Sequence, residues 1–535
     1  MATEQWRVYE IDLTTSVLYS NPYYDVQVKA VFRGPNEEVI ERPAYWYRDS
    51  TWKVRFAPTA MGVWTYETYC DDSENSDFDT AGQEECVAYT GDKDIYNHGF
   101  IQSEEGKIYL EYADGTPFFW LGDTHWYFAN LERLDESNKE GFDSQFKGMI
   151  DKRTEQGYTV YQCNLNITDS ASGGVYFLED HYFTQIDPDF FINVLDPKME
   201  YIAESGLVPA LGYCWNQVID DHEDDVRQLA AYLVARYGAY PMIWTLGGEI
   251  PGTDESTIDN YLEVWRNVAL QIQSDDAYNH PQSVHFAPLS YYYQDEEWLD
   301  FTMIQLGHGD KDTSVDFYYR YREENPTKPM VMAEILYENL FSAHYDARRY
   351  NNDTIVRQAG YRAIQAGCCG FTYGAQGIWN ARWSLDTVDT DTREGDVFGR
   401  GSWVEGIDLP GGQQMSYLKQ FYDSIPWYEL QPGNEVHDYD NAMFESNVVI
   451  TKNSDQSIVI VYIPDVAGLA LGLGKGEFTG FPEGDYRTVF YNPRTGEYSN
   501  ELVETADSTG ILAFPDFPEM DEPSQDFILL IVKVE

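Results

Sequence analysis

Polar and apolar residues alternate along the first 95 residues of the chain. Stretches such as YYDVQVKAVFRG and GVWTYETYC change character at every second position and are separated by Gly and Pro turns. This period of two predicts an antiparallel β-sandwich over residues 1–95, with an exposed acidic loop from Asp71 to Glu85. Residues 432–535 have the same texture in NVVITKN, SIVIVYIP and DFILLIVKVE, which predicts a second small β-sandwich.

Residues 96–431 follow a different rhythm, in which short apolar runs alternate with segments of helical periodicity. The apolar runs are PFFWLG, YTVYQCN, LVPALGY, PMIWTLGG, SVHFAP, FTMIQLG, KPMVMAEI and GCCGFTYG. The helical segments include FDSQFKGMIDKRTEQG, DDVRQLAAYLVARYG and TIVRQAGYRAIQAG. Buried strands that alternate with helices form parallel sheets covered by helices, and eight such units predict a barrel. The predicted fold class is therefore α/β, a (β/α)₈ TIM barrel flanked by N-terminal and C-terminal β-sandwich domains.

The chain is strongly acidic, with 91 Asp and Glu against 35 Lys and Arg in 535 residues and a formal net charge of −56. Such a surface repels phosphate backbones and anionic lipids, so we expect neither nucleic acid nor membrane as a partner. The acidity fits either a high-salt habitat or a general solubility device. Because the acids are scattered along the chain rather than collected in tails, we favour the second interpretation.

The first residues, MATEQWRVYEIDL, contain no basic and apolar leader, and no window holds 18 consecutive apolar residues. We therefore expect a cytoplasmic protein, or an exported one if a leader has been removed. The six cysteines form no CxxC pair, which predicts buried thiols rather than a zinc site or a disulfide framework. A pair between Cys70 and Cys86 is expected only in an exported protein. The sequence predicts no cofactor and no metal.

The residues that follow the apolar runs are the candidate functional residues, because a barrel of this class carries its active site at the C-terminal ends of its strands. The candidates are Asp123, His125 and Trp126; Asn164 and Asn166; Tyr213 and Trp215; Glu249; Gln305 and His308; Glu334, Tyr337 and Glu338; Tyr373 and Trp379. Amides and imidazoles orient hydroxyl groups, and aromatic faces pack on the C–H faces of a sugar ring. Without a Gly-rich phosphate loop or a lysine cluster, this set predicts a neutral polyol ligand.

Glu249 and Glu334 follow the fourth and seventh runs, on opposite walls of the predicted barrel. Glycoside hydrolysis requires two carboxyl groups that flank the scissile bond, one protonated and one ionised. Asp123 could instead hold His125 or a backbone turn in place without touching the substrate. Glu338 could orient Tyr337 or an arginine rather than act on the sugar. His308 fits a structural role as well as a substrate contact. A metal site built from Asp123, His125 and the two glutamates is disfavoured, since neither HxH nor HExxH spacing occurs.

Four segments resemble the apiosidase-like glycosidase family, glycoside hydrolase family 140 and its relatives. They are PFFWLGDTHW from Pro117, IWTLGGE from Ile243, VMAEILYE from Val331 and AGCCGFTYGAQGIW from Ala366. The resemblance implies a (β/α)₈ catalytic domain, an N-terminal β-sandwich and a C-terminal domain with a collagen-binding label.

The same resemblance implies roles for the two acids, Glu249 as acid/base and Glu334 as nucleophile. The chain departs from the family pattern twice. It has Glu249 where Asp often follows the glycine pair, and Ile335 and Leu336 follow Glu334 where the motif has a proline first.

We therefore expect an exo-acting, retaining glycosidase that cleaves a terminal furanoside or pentose-like sugar from a carbohydrate or small glycoside. Its sugar site would contain Asp123, His125, Trp126, Asn164, Asn166, Trp215, Gln305, His308, Tyr337, Tyr373 and Trp379. A homo-oligomer is compatible with the sequence. The alternative is a non-catalytic carbohydrate- or protein-binding protein on a glycosidase fold, and an inverting hydrolase or a transglycosylase also stays open.

Overall fold

The structure of the chain is a computed structural model. The model describes residues 2–167, 173–178, 181, 183–215, 222–249, 258–285, 293–308, 315–324, 327–342, 349–384, 401–438, 448–466, 477–518 and 525–534.

The N-terminal region consists of two β-sheets that share one apolar core. Its strands are β1 (Thr3–Glu4), β2 (Tyr9–Thr14), β3 (Val28–Arg33), β4 (Val39–Pro43), β5 (Tyr45–Arg48), β6 (Thr51–Phe56), β7 (Gly62–Cys70) and β8 (Ala81–Val87). One sheet has the order β1-β8-β7-β3-β4 and the other the order β2-β6-β5. The period of two places Phe32 and Phe56 inside, where their rings stack at 3.9 Å between the sheets.

The acidic segment that follows Cys70 is only in part the loop that the sequence predicts. Residues Ala81–Val87 form strand β8, which pairs with β7 and, in parallel, with β1. Burial alternates along β8, so Glu84 and Glu85 belong to a half-exposed strand. The prediction that the loop extends to Glu85 was therefore wrong, because acidic residues also occupy the solvent-facing positions of a strand.

A short segment connects this region to the central sheet. It contains helix α1 (Asp94–Asn97) and strands β9 (Ile101–Gln102), β10 (Leu110–Tyr112) and β11 (Pro117–Phe118), which pair in the order β11-β10-β9.

The central sheet is parallel and seven-stranded, and it runs in the order β16-β14-β13-β12-β22-β19-β18. The strands between residues 120 and 373 are β12 (Trp120–His125), β13 (Val160–Asn164), β14 (Val208–Gly212), β15 (Cys214–Trp215), β16 (Ile243–Trp244), β17 (Gly247–Gly248), β18 (Thr302–Gln305), β19 (Met330–Glu334), β20 (Phe341–Ser342), β21 (Arg349–Tyr350) and β22 (Gly370–Tyr373). Seven of the eight predicted runs thus supply strands of this sheet.

The run SVHFAP does not form a regular strand within the described residues. Its neighbourhood makes isolated parallel bridges instead, which pair Trp244 with Gln282, Gly248 with His285, and His285 with Met303. These bridges lie between the two edge strands of the central sheet, β16 and β18.

Helices lie between the strands and at their ends. They are α2 (Gln145–Glu155), α3 (Pro188–Phe190), α4 (Asp196–Ser205), α5 (Glu223–Tyr237), α6 (Ile258–Asp275), α7 (Asp316–Glu324), α8 (Asp353–Gln365), α9 (Trp403–Gly406) and α10 (Pro410–Asp423). The predicted helical segments correspond to α2, α5 and α8. Ser144 and Asn352 begin α2 and α8 as side-chain caps, since they accept from the amides of Lys147 and Ile355. None of the described helices is long and apolar enough to cross a membrane.

The two faces of the central sheet belong to different cores. Leu121, Tyr161 and Phe371 face outward and pack with the helices. Trp120 and Val331 face inward, in a cluster that continues into the N-terminal sheets. Because side chains alternate along a strand, a shift of one residue moves a group from one face to the other.

The C-terminal region is a third β-rich layer. Its strands are β23 (Gln431–Pro432), β24 (His437–Asp438), β25 (Val449–Lys452), β26 (Ile458–Ile463), β27 (Glu477–Phe478), β28 (Gly484–Asn492), β29 (Glu497–Tyr498), β30 (Leu502–Ala506), β31 (Leu512–Ala513) and β32 (Phe527–Lys533). One face of its main sheet packs on the central helices, where Tyr462 stacks on Tyr361 at 5.2 Å. A buried ion pair of 2.8 Å between Arg357 of α8 and Asp526 ties the two layers together.

All six cysteines carry free thiols, and five of them are buried as the sequence predicts. Cys70 is the exception and is half-buried.

Candidate active site

Strand β19 brings Glu334 onto the inner face of the sheet through a β-bulge. Val331 and Ala333 face inward, so simple alternation would turn Glu334 outward toward the helices. The pairing with β18 shifts here: Ile304 pairs with Met332, but Gln305 pairs with Glu334, which leaves Ala333 as the extra residue. A bulge re-aims the side chain that follows it, and here it directs the carboxylate of Glu334 inward.

The carboxylate of Glu334 is held between two imidazoles. Its Oε2 lies 2.9 Å from His285 Nε2, and its Oε1 lies 3.0 Å from His308 Nε2. Glu334 is only 6% exposed. Burial alone would raise its pKa, but the hydrogen bonds and charge of the two histidines outweigh burial and lower the pKa to about 2. The group is therefore a buried carboxylate that stays ionised at any ordinary pH.

Tyr337 extends this cluster toward strand β12. Its hydroxyl hydrogen-bonds to Glu334 and accepts from Trp126 Nε1 at 2.9 Å. Trp126 in turn contacts the ring of His285 edge-on at 4.9 Å. The Tyr337 ring lies so close to Gly374 that a Cβ there would be 2.1 Å from it, so a residue with a side chain would displace the ring.

Glu249 follows the two glycines of β17, as the sequence predicts, and its side chain is exposed. Its φ of 54° is left-handed, a conformation that costs a non-glycine residue of the order of 1–3 kcal/mol and that concentrates at functional sites. Leu246 and Leu336 share this conformation beside Glu249 and Glu334, with φ values of 44° and 45°. Gln305 Nε2 lies 3.5 Å from Glu249 Oε1, and the backbone of Gln305 pairs with that of Glu334 in the sheet, so Gln305 is a neighbour of both acids.

The remaining inner candidates lie near Trp126. Asn166 donates from Nδ2 to the backbone carbonyl of Trp126, and its backbone N–H donates to Asn164 Oδ1 at 2.8 Å. Trp379 lies 6.1 Å from the Tyr337 ring, between ring centroids. The side chain of Trp215 lies outside the described residues. The structure thus gathers Trp126, Asn164, Asn166, Gln305, His308, Tyr337 and Trp379 around Glu249 and Glu334.

Asp123 and His125 lie on the other face of β12, away from Glu334. Their carboxylate and imidazole are 3.3 Å apart and pack among outward-facing residues. Arg153 of α2 donates from Nε to Asp123 at 2.5 Å, and Glu132 Oε1 lies 2.7 Å from His125 Nδ1. Burial lowers the pKa of His125, but Glu132 and Asp123 outweigh it and raise that pKa to about 9. We call Arg153, Asp123, His125 and Glu132 the outer network.

Tyr373 lies on the same outer face. It is fully buried, and its hydroxyl donates to Glu338 Oε2 at 2.5 Å. The guanidinium of Arg153 lies over the Tyr373 ring at 5.2 Å, and Glu338 also accepts from the amide of Gly411 at 3.0 Å. Glu338 therefore orients Tyr373 and the start of α10 rather than facing the two acids. Tyr213, also buried, stacks on Trp244 at 6.2 Å on this face.

Comparison with known families gives the class of this site. A family model for the apiosidase-like catalytic domain matches residues 104–429, and a model for a domain of unknown function, DUF5060, matches residues 2–71. The first match covers more than half of the chain. The chain belongs to the apiosidase-like family. This confirms the family resemblance of the four sequence segments, and it makes the chain a glycoside hydrolase.

Solved structures share the fold of the apiosidase-like chain. A putative glycoside hydrolase from Bacteroides vulgatus has a TM-score of 0.70 at 15% identity, over 99% of each chain. A glycoside hydrolase family 5 protein from the same organism has a TM-score of 0.65 at 22% identity, over 82% of this chain and 94% of its own. Another structure, described as a glycoside hydrolase, has a TM-score of 0.65 at 22% identity, over 82% of this chain and 98% of its own. Among curated proteins, no sequence matches significantly.

His285 is the residue of the apiosidase-like site that the sequence analysis missed. It is the third residue of the fifth apolar run, SVHFAP, and the one titratable residue in that run. That position was a usable signal. The sequence analysis predicted no site residue from this run.

The outer network predicts a large loss of stability in Asp123→Asn. This change removes the charge that compensates Arg153 and His125, and breaking a buried ion pair costs about 3–5 kcal/mol. The free energy of unfolding, measured with urea, should fall by about that amount. The control is Glu501→Gln, whose partner Arg487 forms an exposed pair, and it should change stability by less than about 1 kcal/mol. Equal losses in both variants would contradict the stabilising role of the outer network.

The buried carboxyl of Glu338 should make the free energy of unfolding depend on pH. Burial, with a smaller repulsion from Asp353, raises its pKa from 4.5 to about 7. The folded state therefore binds the proton more tightly, and the stability that it contributes is lost as pH rises from about 4.5 through about 7. Glu338→Gln removes this loss, so relative to wild type the variant should gain about 1–3 kcal/mol between pH 5 and pH 8. Urea unfolding at pH 5 and pH 8 measures the difference in stability between the variant and wild type. If the variant instead loses stability relative to wild type between these two pH values, the pKa of Glu338 is not raised.

Proposed function

We propose that the chain is an exo-acting, retaining glycoside hydrolase that releases a terminal pentofuranose or similar pentose. The observation that supports it most is the ionised carboxylate of Glu334, which is held by His285 and His308. Its sheet neighbour Gln305 contacts Glu249. Two carboxyl groups in different environments are what glycoside hydrolysis requires. Membership of the apiosidase-like family supports a pentose as the sugar.

Glu334 acts as the nucleophile in this proposal. A carboxyl with a pKa of about 2 holds no proton to donate near neutral pH, so its role must be anionic. Its Oε attacks the anomeric carbon while the bond from that carbon to the leaving oxygen breaks. The position of Glu334 in the nucleophile motif of the apiosidase-like family supports direct attack over activation of a water molecule, and direct attack leads to retention.

Glu249 acts as the acid and then as the base. In the first step it gives its proton to the leaving oxygen, and in the second it takes a proton from the water that hydrolyses the glycosyl–Glu334 ester. Its exposed position gives it access to both the leaving group and the water. The amide of Gln305 orients the carboxyl of Glu249.

The sugar site is proposed from the residues that share the inner face with the two acids. These are Trp126, Asn164, Asn166, Gln305, His308, Tyr337 and Trp379, together with Trp215 from the sequence prediction. Asp123, His125 and Tyr373 have their polar contacts on the outer face. We assign these three to positioning rather than to substrate contact.

The proposal includes a closed (β/α)₈ barrel over residues 96–431, between β-sandwiches over residues 1–95 and 432–535. The bridges of Gln282 and His285 support closure, since they supply a fifth strand position between β16 and β18. The stacked sheets around Phe32 and Phe56 support the N-terminal sandwich.

The test is hydrolysis of a panel of aryl glycosides that contains pentofuranosides, pentopyranosides and hexopyranosides. We expect the highest kcat/KM on a pentofuranoside and, by NMR, a first product with the anomeric configuration of the substrate. A product of inverted configuration would overturn the nucleophile role of Glu334. Binding of sugars without turnover of any substrate would instead favour the non-catalytic alternative.

A further inference from the structure

A large concave site lies away from the two catalytic candidates. A cleft of about 980 Å³ is enclosed by strands β3 and β4 of the N-terminal sheet, the segment around Trp46, and helices α5 and α6. Its size is at the upper end of the range for ligand pockets, which often lie between domains. No residue of the Glu334 cluster lines it. We call it the sheet–helix cleft.

The sheet–helix cleft carries aromatic side chains of two kinds. Tyr45 and Trp52 are almost fully buried and lie within its wall. Tyr69 is 43% exposed, and Trp46 is half-buried, so faces or edges of these rings meet solvent. A partly exposed aromatic ring beside buried ones offers an apolar surface for the C–H face of a sugar.

The polar lining of the sheet–helix cleft is acidic. Four carboxylates line it, from Glu41, Asp71, Asp224 and Asp275, against two cations, Lys29 and Arg227. Lys29 is already paired with Glu41 at 2.7 Å. A surplus of negative charge repels a polyanion, whereas carboxylates accept hydrogen bonds from neutral hydroxyl groups.

The helix side adds oriented amide groups. Arg227 donates from Nη2 to Gln271 Oε1 at 3.2 Å, and Gln271 donates from Nε2 to Asp275 at 2.7 Å. Gln228 donates to the carbonyl of Tyr23 at 2.7 Å, on the same wall. These contacts fix donors and acceptors in place, as a site that recognises hydroxyl groups requires.

We propose that the sheet–helix cleft is a second carbohydrate site, which binds a segment of a neutral oligosaccharide or polysaccharide chain. The mixture of exposed aromatic rings, carboxylates and amides suits neutral hydroxylated rings and excludes polyanions such as polygalacturonate. The site gives the DUF5060 region, which matches residues 2–71, a binding role. It is separate from the proposed catalytic site and does not depend on which sugar is cleaved there.

The experiment uses the full chain with Glu334→Gln, so that no polysaccharide is cleaved during the measurement. Binding is measured by affinity electrophoresis in native gels that contain xyloglucan, galactomannan or arabinoxylan, and polygalacturonate serves as the anionic comparison. The cleft variants are Tyr69→Ala and Arg227→Ala. The control is Tyr498→Ala, which removes another exposed strand tyrosine, 47% accessible, from the C-terminal sheet.

We expect at least one neutral polysaccharide to retard the chain and polygalacturonate not to retard it. Tyr69→Ala should weaken the binding about tenfold, and Tyr498→Ala should leave it unchanged. In the wild-type background, Tyr69→Ala should keep its kcat/KM on an aryl glycoside. Undiminished binding by both cleft variants, or the absence of binding to all neutral polymers, would overturn the proposal.

Failure of the catalytic proposal gives a different pattern. If aryl glycosides are not hydrolysed but Tyr69→Ala still weakens polysaccharide binding, the cleft stands and the catalytic roles fall. If Trp379→Ala, and not Tyr69→Ala, weakens retention in the gel, the polymer binds at the catalytic edge and the cleft proposal is wrong.

Discussion

Glu334→Gln is expected to lower kcat/KM on the best aryl glycoside by about 10⁴-fold or more. The amide keeps the shape of the side chain but cannot form the glycosyl ester, and loss of a nucleophile removes most of the chemical acceleration. Its neighbours His285 and His308 lose a charged acceptor, so the fold should be checked by circular dichroism and urea unfolding. Steady-state rates of purified protein provide the measurement.

Glu249→Gln should behave differently from Glu334→Gln. General acid catalysis contributes about 10²–10⁴-fold, and a leaving group of low pKa needs little of it. The loss should therefore be large on a phenyl glycoside and small on a dinitrophenyl glycoside. The same comparison with Glu334→Gln should show losses on both substrates.

The control for these two variants is Glu501→Gln, an exposed glutamate of the C-terminal region, which should keep its activity. Azide should restore turnover in Glu334→Ala by taking the place of the carboxylate, with a glycosyl azide as product. Retained activity in Glu334→Gln, at more than one tenth of wild type, would show that another group is the nucleophile.

His285→Ala and His308→Ala are expected to lower kcat by about 10- to 150-fold each and to change the pH profile. Each removes a hydrogen bond to a buried carboxylate, and hydrogen bonds to charged groups are worth about 1.5–3 kcal/mol. Burial then raises the pKa of Glu334 with less opposition, so its value moves up from about 2. The nucleophile must be ionised, so the acid limb of the profile should move to higher pH.

The measurement is kcat and kcat/KM from pH 2 to pH 9 for wild type and for both variants. His98→Ala is the matched control, because His98 pairs with Asp114 at the surface and should change neither rate nor profile. An acid limb that keeps its position in both histidine variants would mean that Glu334 does not need these imidazoles to stay ionised. A lower kcat with an unshifted limb would assign the two histidines to substrate contact instead.

Much of the candidate site could be found in the sequence because parallel strands end at a common edge. The fourth run ends in Gly247–Gly248, followed by Glu249, and the strand of the seventh run, β19, ends in Glu334. The apolar runs and helical periodicity between residues 96 and 431 identified nearly all strands of the central sheet. That pattern is local and needs only the burial of each run, so no tertiary information was required.

The face that each candidate occupies was not available from the sequence. Asp123, His125 and Tyr373 stand at strand ends like the others, but they alternate onto the outer face with Leu121 and Phe371. That a residue stands at the end of a strand does not show which face of the sheet its side chain occupies. The face depends on the register with which the strand pairs in the sheet.

The sequence by itself determined the alternation of strands and helices, the family and the choice of the two candidate acids, because periodicity and short motifs are encoded in consecutive residues. Only the tertiary structure decided that the bulge at Ala333 turns Glu334 inward and that His285 reaches it from the fifth apolar run. It also decided that the N-terminal sheets enclose a cleft with α5 and α6. These features depend on register and on contacts between residues tens to hundreds of positions apart, and no local pattern encodes such contacts.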